Sequence, residues 1–397
     1  MNRELILAKQ QQAFQILKEK DIDMWITFVR ETGNIIDPMM EMIVGTGATW
    51  HSAFILTKTG ESIAIIGSLE EANMKTVDTF KTIKPYLKSI NNDLIETIKH
   101  FDPNKIALNF AKDSTLADGL THGMYLELCN ILKNTPYVDR FISSEEIVMS
   151  LRGRKSEAEI EIMKKAAKET LAIYDEVTNY MKAGMTEKQI ANFVLNLCSE
   201  KGYELAWDPE HCPAVFTGPE SAGAHSGPTD RVIEKGHVVN LDFGVKINGY
   251  CSDLQRTWYM LKDDETEAPE EVLRGFRVIK ESVHKAAEAL KPGLEGWELD
   301  KISRDHIVNN GYSEYPHALG HQVGLAAHDG GGLLAPKWER YGNLPFLKIE
   351  EQQVYTIEPR LTIDGFGIAT IEEEVVVTKN GCEFISEPQT ELFLIKS

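Results

Sequence analysis

The sequence predicts an α+β chain of two domains. A smaller α/β domain spans residues 1–150, and a larger domain of long helices and antiparallel hairpins spans residues 151–397. Three observations carry this reading. First, the 397 residues, 42% hydrophobic and 26% charged, have an ordinary globular composition at a length that suits two or three domains. Second, short apolar runs alternate with helical patterns up to about residue 150. Third, beyond that point capped helices are interleaved with strand pairs joined at Asn-Gly or Asp-Gly.

The N-terminal "MNRELILAKQQQAFQILKEKD" is an amphipathic helix, with an apolar core too short and too interrupted for a signal peptide. "MWITF", "SAFILT", "SIAIIG" and "KIALNF" follow as strands, and "NNDLIETIKHF" as a helix. "GTGATW" (Gly45–Trp50) lacks the third glycine and the strand–turn–helix setting of a dinucleotide-binding loop. After the boundary, Ser156 and Glu159 form a capping-box pattern that opens a long helix, and Gly184 is expected at its left-handed C-terminal position. Thr186 and Gln189 open a second helix that ends near Gly202. Two more run from about Pro269 to Leu290 and from about Trp297 to Asn310, the last stopped by Gly311. The strands between and after them are "GHVVNLDFGV", "GYCSDLQRTWYM", "QVYTIEPRLTI" and "ATIEEEVVVT". The acidic run "KDDETEAPEE" is a solvated linker that leads into a helix N-terminus.

Charge and cysteine usage narrow the function classes. A formal net charge of −19 argues against non-specific nucleic-acid binding, which needs a basic surface. No apolar run approaches the roughly 18 residues of a membrane span, so no membrane partner and a cytoplasmic location are expected. The five cysteines (Cys129, Cys198, Cys212, Cys251 and Cys382) are odd in number, widely spaced and without a C-x-x-C pair. They read as reduced thiols, neither a disulfide framework nor a zinc ribbon.

The hairpin "VNLDFGVKINGYCSDLQRTW" holds Asp242 and Asp253 in a half-buried setting, where an unpaired carboxylate is costly. A two-residue turn at Asn248-Gly249 pairs Ile247 with Tyr250, Gly244 with Asp253 and Asp242 with Gln255. Both aspartates then project from one face as diagonal neighbours, while Val239, Leu241, Phe243 and Val245 face a core. Two carboxylates on one face call for solvent, a shared proton or a cation.

"YPHALGHQVGLAAHDGGGLLAP" places His317, His321 and His328 in a glycine-broken segment, in a chain with eleven histidines. His225 lies in another loop, seventeen residues before Asp242. Neutral imidazole is a common ligand for zinc, iron and cobalt-type ions. In "VYTIEPRLTIDGFGIATIEEEVVVT", Glu358 occupies an apolar strand, and Glu372, Glu373 and Glu374 follow. A two-residue Asp364-Gly365 turn would set Glu373 on the face of Glu358. A three-residue loop with left-handed glycine would set Glu372 there, and the spacing leaves both open. Together the segments supply enough carboxylates and imidazoles for a pair of divalent first-row ions.

These segments, in order over roughly residues 155–380, resemble the pita-bread metallopeptidases, the family of prolidase, aminopeptidase P and methionine aminopeptidase. "LDFGVKINGYCSDLQRTW" is similar to their D-x-G…G-Y-x-S-D-x-T-R-T segment, and "HALGHQVGLAAHD" to H-x-x-G-H-x-x-G-L-x-x-H-D/E. "TIEP" and "TIEEEVVVT" resemble their two glutamate motifs, and "LRGRKSEAEIEIMKKAA" their domain-entry helix. Residues 1–150 resemble the N-terminal domain shared by prolidase, aminopeptidase P and creatinase. The resemblance implies a pita-bread catalytic domain, a curved antiparallel sheet covered by helices. It implies two divalent ions, manganese or cobalt in preference to zinc, held by Asp242, Asp253, His321, Glu358 and Glu372. Asp253 and Glu372 would bridge them, and Glu358 would also handle the proton of the attacking water. His225, His317 and His328 would hold the substrate and the tetrahedral intermediate. The implied activity is hydrolysis of short peptides in the manner of an Xaa-Pro dipeptidase or Xaa-Pro aminopeptidase, by a homodimer.

Two departures stand out. Such relatives carry arginine just before the "IE" of the last motif, where this chain has Thr370, and their "EPG" is here "EPR", with Arg360. Arg360 is expected to substitute in part, reaching a substrate carboxylate from the neighbouring strand. The alternative reading is a metal-dependent hydrolase or lyase of the same fold that acts on a small non-peptide. A metal-free creatinase type and a non-catalytic binding protein are disfavoured, because all five ligand positions are filled.

Overall fold

The computed structural model describes residues 2–112, 114–221 and 227–396, which gather into two compact units, Met1–Arg152 and Gly153–Ser397. In the first unit, α1 (Arg3–Glu19) starts where the Asn2 side chain accepts the Leu5 N–H, and its apolar stripe is buried. Then come β1 (Met24–Val29), β2 (Ser52–Thr57), β3 (Ser62–Gly67), α2 (Glu71–Val77), β4 (Thr82–Tyr86), α3 (Asn91–Phe101), β5 (Ile106–Leu108), α4 (His122–Leu132), β6 (Phe141–Ser143) and α5 (Glu145–Gly153). The strands form one sheet in the order β4-β3-β2-β1-β5-β6, antiparallel at β1–β2 and β2–β3 and parallel elsewhere. β1, β2 and β3 are buried along their whole length, which explains why they read as continuous apolar runs. Gly45 (φ +86°) ends a π-helical turn, Met40–Val44, and opens no helix.

The second unit begins with α6 (Glu157–Tyr180), α7 (Glu187–Lys201), β7 (Glu204–Leu205) and β8 (Ala214–Thr217). It continues with β9 (Val238–Phe243), β10 (Val245–Ile247), β11 (Tyr250–Cys251), β12 (Leu254–Met260), α8 (Glu270–Ala289) and α9 (Gly296–Asn309). β13 (Gly320–His321), β14 (Leu333–Leu334), β15 (Val354–Ile357), β16 (Arg360–Ile363), β17 (Gly367–Thr370), β18 (Glu373–Val377), β19 (Cys382–Phe384) and β20 (Phe393–Ile395) complete it. Both capping boxes form, and Gly202 (φ +69°) caps α7. The end of α6 differs from expectation. The helix stops at Tyr180, with Met181 already extended and buried, and Gly184 (φ +91°) lies in the turn beyond, its N–H on Ile233 O. The chain leaves the helix early because Met181 is drawn into the core.

Two hydrophobic cores position the site. The apolar face of β9, β10 and β12 (Leu241, Phe243, Val245, Leu254, Trp258) packs on Ile173 and Val177 of α6 and Ile190 and Val194 of α7. The apolar side of the glutamate strands (Ile357, Leu361, Ile363, Val375, Val377) packs on Phe276, Ile279 and Val283 of α8 and Leu299 of α9. An isolated bridge, Gln255↔Glu372, joins the two strand systems, so the faces turned away from the helices meet.

Arg256 ties this junction. Its side chain is 2% exposed; Nη1 donates to the carbonyls of Gln255 (2.9 Å) and Glu372 (3.0 Å), and Nη2 to Glu373 Oε2 (3.0 Å) and Glu387 O (2.8 Å). Arg256→Met leaves Glu373 buried beside a lost countercharge, at an expected cost of about 3–5 kcal/mol. Urea unfolding reads this directly, and a loss below about 1 kcal/mol would contradict the role given to the pair.

Candidate metal centre

The aspartate hairpin has the register that its turn demands. Asn248 (φ +50°) and Gly249 (φ +87°) both take the positive φ of a type I′ turn. Ile247 pairs with Tyr250, Lys246 with Cys251, Phe243 with Leu254 and Asp242 with Gln255. Gly244 is required because a Cβ there would lie 1.8 Å from Ser252 O. Asp242 and Asp253 therefore share a face opposite the core, and the Asp253 N–H is held by Glu374 Oε1 at 2.9 Å.

On the glutamate side, Arg360 pairs with Thr370 and Ile363 with Gly367, leaving a three-residue loop, Asp364 to Phe366, with Gly365 at φ +80°. The same register continues through Ile357↔Glu373, so Glu372 falls opposite Glu358. Of the two alternatives that spacing left open, the three-residue loop is the one formed. Glu373 turns instead to Arg256, Ser386 and the Gln389 N–H.

His321 joins both halves. Its Nε2 is 3.3 Å from Glu358 Oε1 and 3.7 Å from Asp253 Oδ2, while Nδ1 lies 3.3 Å from Gln322 O. Without an ion, Nε2 faces the Glu358 carboxylate as its donor; with one bound, a proton on Nδ1, facing that carbonyl, would leave the Nε2 lone pair for the ion. The His328 ring, exposed, sits 4.0 Å from the His321 ring, centroid to centroid. His317 is half-buried, with Nδ1 2.7 Å from Ala318 O, and lies within electrostatic reach of Glu358 and Arg360. His225 lies outside the described residues.

Two groups that sequence reasoning did not single out support the cluster. Gln255 Nε2 donates to Glu372 Oε2 (2.8 Å) and Glu358 Oε2 (3.4 Å); its pairing with Asp242 already placed it on the polar face. Arg304 of α9, paired with Asp300, donates to the carbonyls of Tyr315 (2.6 Å) and His317 (2.8 Å), and Asp300 accepts the Leu319 N–H. This brace holds the histidine segment. Its only sequence signal is an Asp–Arg pair four apart, which many exposed helices also carry.

The profile of Metallopeptidase family M24 matches residues 161–379, a span that contains Asp242, Asp253, His321, Glu358 and Glu372. The chain belongs to that family. An Xaa-Pro dipeptidase of Pyrococcus horikoshii is 31% identical over 310 residues, 77% of this chain and 82% of the relative. A Bacillus subtilis protein described as uncharacterized peptidase YqhT is 29% identical over 354 residues, 88% of this chain and 92% of the relative. The solved structure of an Xaa-Pro dipeptidase from Bacillus anthracis superposes with a TM-score of 0.72 at 25% identity, covering 99% of this chain and 100% of that one. The M24 chain thus has the pita-bread architecture, with an α/β unit before the catalytic domain. Among its described residues no helix is long and apolar enough to cross a membrane.

The electrostatics of the M24 site test whether its donors fit divalent ions. Burial pushes Asp242, Asp253 and Glu372 well above the ordinary carboxylate range, and the charges of neighbouring acids push the same way. Glu358 is the exception. Burial opposes its charge, but the hydrogen bond and charge of His321, with His317 and His328 behind them, hold it below its ordinary value. Asp253, His321 and Glu372 each offer a ligand atom, all within 4.8 Å of one another. Asp242 Oδ1 and Glu372 Oε1 are buried with no hydrogen-bond donor among the described residues. Oxygens left so are costly unless a cation meets them. One imidazole and several carboxylates make a donor set for first-row divalent ions, and these residues fit.

Proposed function

We propose that this chain is a dinuclear-metal-dependent peptidase of short peptides, of the Xaa-Pro dipeptidase or Xaa-Pro aminopeptidase type. The observation that carries the proposal is the convergence of Asp242, Asp253, His321, Glu358 and Glu372 from two hairpins and the short strand β13, with two buried oxygens among them that have no donor among the described residues. The Xaa-Pro reading draws on the 31% identical dipeptidase.

Asp242, Asp253, His321, Glu358 and Glu372 would hold two ions, manganese or cobalt in preference to zinc. When bound, such ions lower the pKa of a shared water and polarise a carbonyl oxygen. Glu358, kept anionic by the histidines around it, takes the proton of the attacking water and passes it to the leaving amine. Burial lowers the pKa of His317 against the pull of the Glu358 charge, and its imidazole binds the peptide. His328, edge-on to His321, completes the grip on the peptide.

Arg360 is half-buried and directly opposite Thr370, and it would reach the substrate carboxylate from there. Arg360→Ala is expected to raise KM for Xaa-Pro dipeptides roughly tenfold or more, the worth of a lost charge-assisted hydrogen bond. An unchanged KM would remove Arg360 from the binding site. The proposal as a whole is tested with Xaa-Pro dipeptides, longer Xaa-Pro peptides and non-proline peptides, each assayed with Mn²⁺, Co²⁺ and Zn²⁺. Cleavage confined to Xaa-Pro bonds is expected, and no peptide cleavage with any metal would point to a small non-peptide substrate. A homodimer is the proposed assembly.

A further inference from the structure

The two glutamates of the cluster share one neutral donor. Among the described residues, Gln255 Nε2 is the only hydrogen-bond donor to the Glu372 carboxylate, at 2.8 Å, and the same nitrogen is 3.4 Å from Glu358 Oε2. Once ionised, as ion binding requires, both carboxylates only accept, so the amide nitrogen and not its oxygen must face the two acids. Gln255 is buried and fixed at its backbone as well. Its carbonyl accepts the Glu372 N–H (3.2 Å) and Arg256 Nη1 (2.9 Å), and its Cα is paired with Asp242. One residue therefore touches both glutamates by its side chain and is locked to Glu372 and Asp242 by its main chain.

We infer that Gln255 is a positioning residue that sets the metal affinity of the site by orienting Glu358 and Glu372; this rests on the dinuclear-metal reading above. Its chemistry suits the task. A neutral donor fixes one oxygen of each acid without adding a fifth carboxylate, as Glu would, or a fixed cation that competes for the site, as Lys would. Asparagine would keep the amide but withdraw it by one methylene. With the amide in place, the donor-less Glu372 Oε1 is held in a fixed direction and less carboxylate rotation is lost on ion binding.

The test is calorimetric titration of Mn²⁺ into the chelator-stripped full-length chain, wild type against Gln255→Met and Gln255→Asn. Met keeps the length and bulk but donates nothing, so a packing role would leave its affinity unchanged. The inference predicts Mn²⁺ binding weaker by about 10–100-fold in Gln255→Met, the usual effect of removing an outer-shell partner. A smaller loss is predicted for Gln255→Asn, with far-UV circular dichroism unaltered. Wild-type affinity in Gln255→Met would overturn the inference while leaving the metal reading intact. If that variant does not fold, wild-type affinity in Gln255→Asn overturns it equally. Absence of Mn²⁺ binding in the wild type would overturn the metal reading, and the inference with it.

Discussion

Asp253→Asn is expected to leave the chain folded and to remove its metal-dependent peptidase activity, by about a thousandfold or more in kcat/KM. The size follows from the several kilocalories per mole that such ions supply to a hydrolytic transition state, at about 1.4 kcal/mol per decade. Asp253 is buried, faces His321 Nε2 at 3.7 Å and has its own N–H tied to Glu374. Asparagine preserves that backbone bond and the side-chain volume, and it removes one of the charges that repel Asp242, Glu358 and Glu374. The variant stripped of metal should therefore be at least as stable as the stripped wild type, even though it is inactive. Kinetics with Mn²⁺ and urea unfolding with chelator check the two halves. Full turnover would refute the metal assignment of Asp253.

The second large effect is on stability against pH. In chain stripped of metal, Asp242, Asp253 and Glu372 have folded-state pKa values raised above their unfolded ones, by burial first and neighbouring acids second. A raised acid binds more protons folded than unfolded. Its stability is thus greatest below the unfolded value, near 4, and is lost as pH rises through the folded value. Glu358 runs the other way: its lowered pKa contributes stability above the unfolded value that is lost as pH falls through the folded one. Three groups against one make the stripped site destabilising as pH rises from about 4 toward neutrality. Divalent ions need these carboxylates deprotonated, so their benefit grows over the same interval. At neutral pH, Mn²⁺ at a hundred times its Kd is expected to add about 2.7 kcal/mol. Differential scanning calorimetry from pH 5 to 8, with and without Mn²⁺, should show a gap in Tm that widens with pH. Comparing the two states cancels buried acids outside the cluster, such as Asp37, raised to about 6 by burial. A gap independent of pH would contradict this picture of the cluster.

Much of this was legible in the chain where local chemistry is decisive. Capping boxes at Ser156 and Thr186 and the Asn248-Gly249 turn are short-range devices, and the turn alone brought Asp242 and Asp253 to one face. The Asp364-Gly365 loop was different, since two lengths were equally compatible with its residues. The structure has the Phe366 carbonyl accepting the Val238 N–H from another strand, and that tertiary bond is invisible in the loop's own sequence. Gly184 was misplaced for a similar reason, because the burial of Met181 and the bond to Ile233 end α6 before the glycine is reached. The reach of Gln255 to two glutamates and the hold of Arg304 on the histidine segment are also long-range. They depend on strands and a helix that meet only after folding.

The most direct test of the dinuclear centre is an anomalous difference map from crystals grown with Mn²⁺ at neutral pH. The account predicts two peaks within the cluster formed by Asp242, Asp253, His321, Glu358 and Glu372. A map with no peak there, from protein that hydrolyses its substrate in the same Mn²⁺ solution, would contradict it.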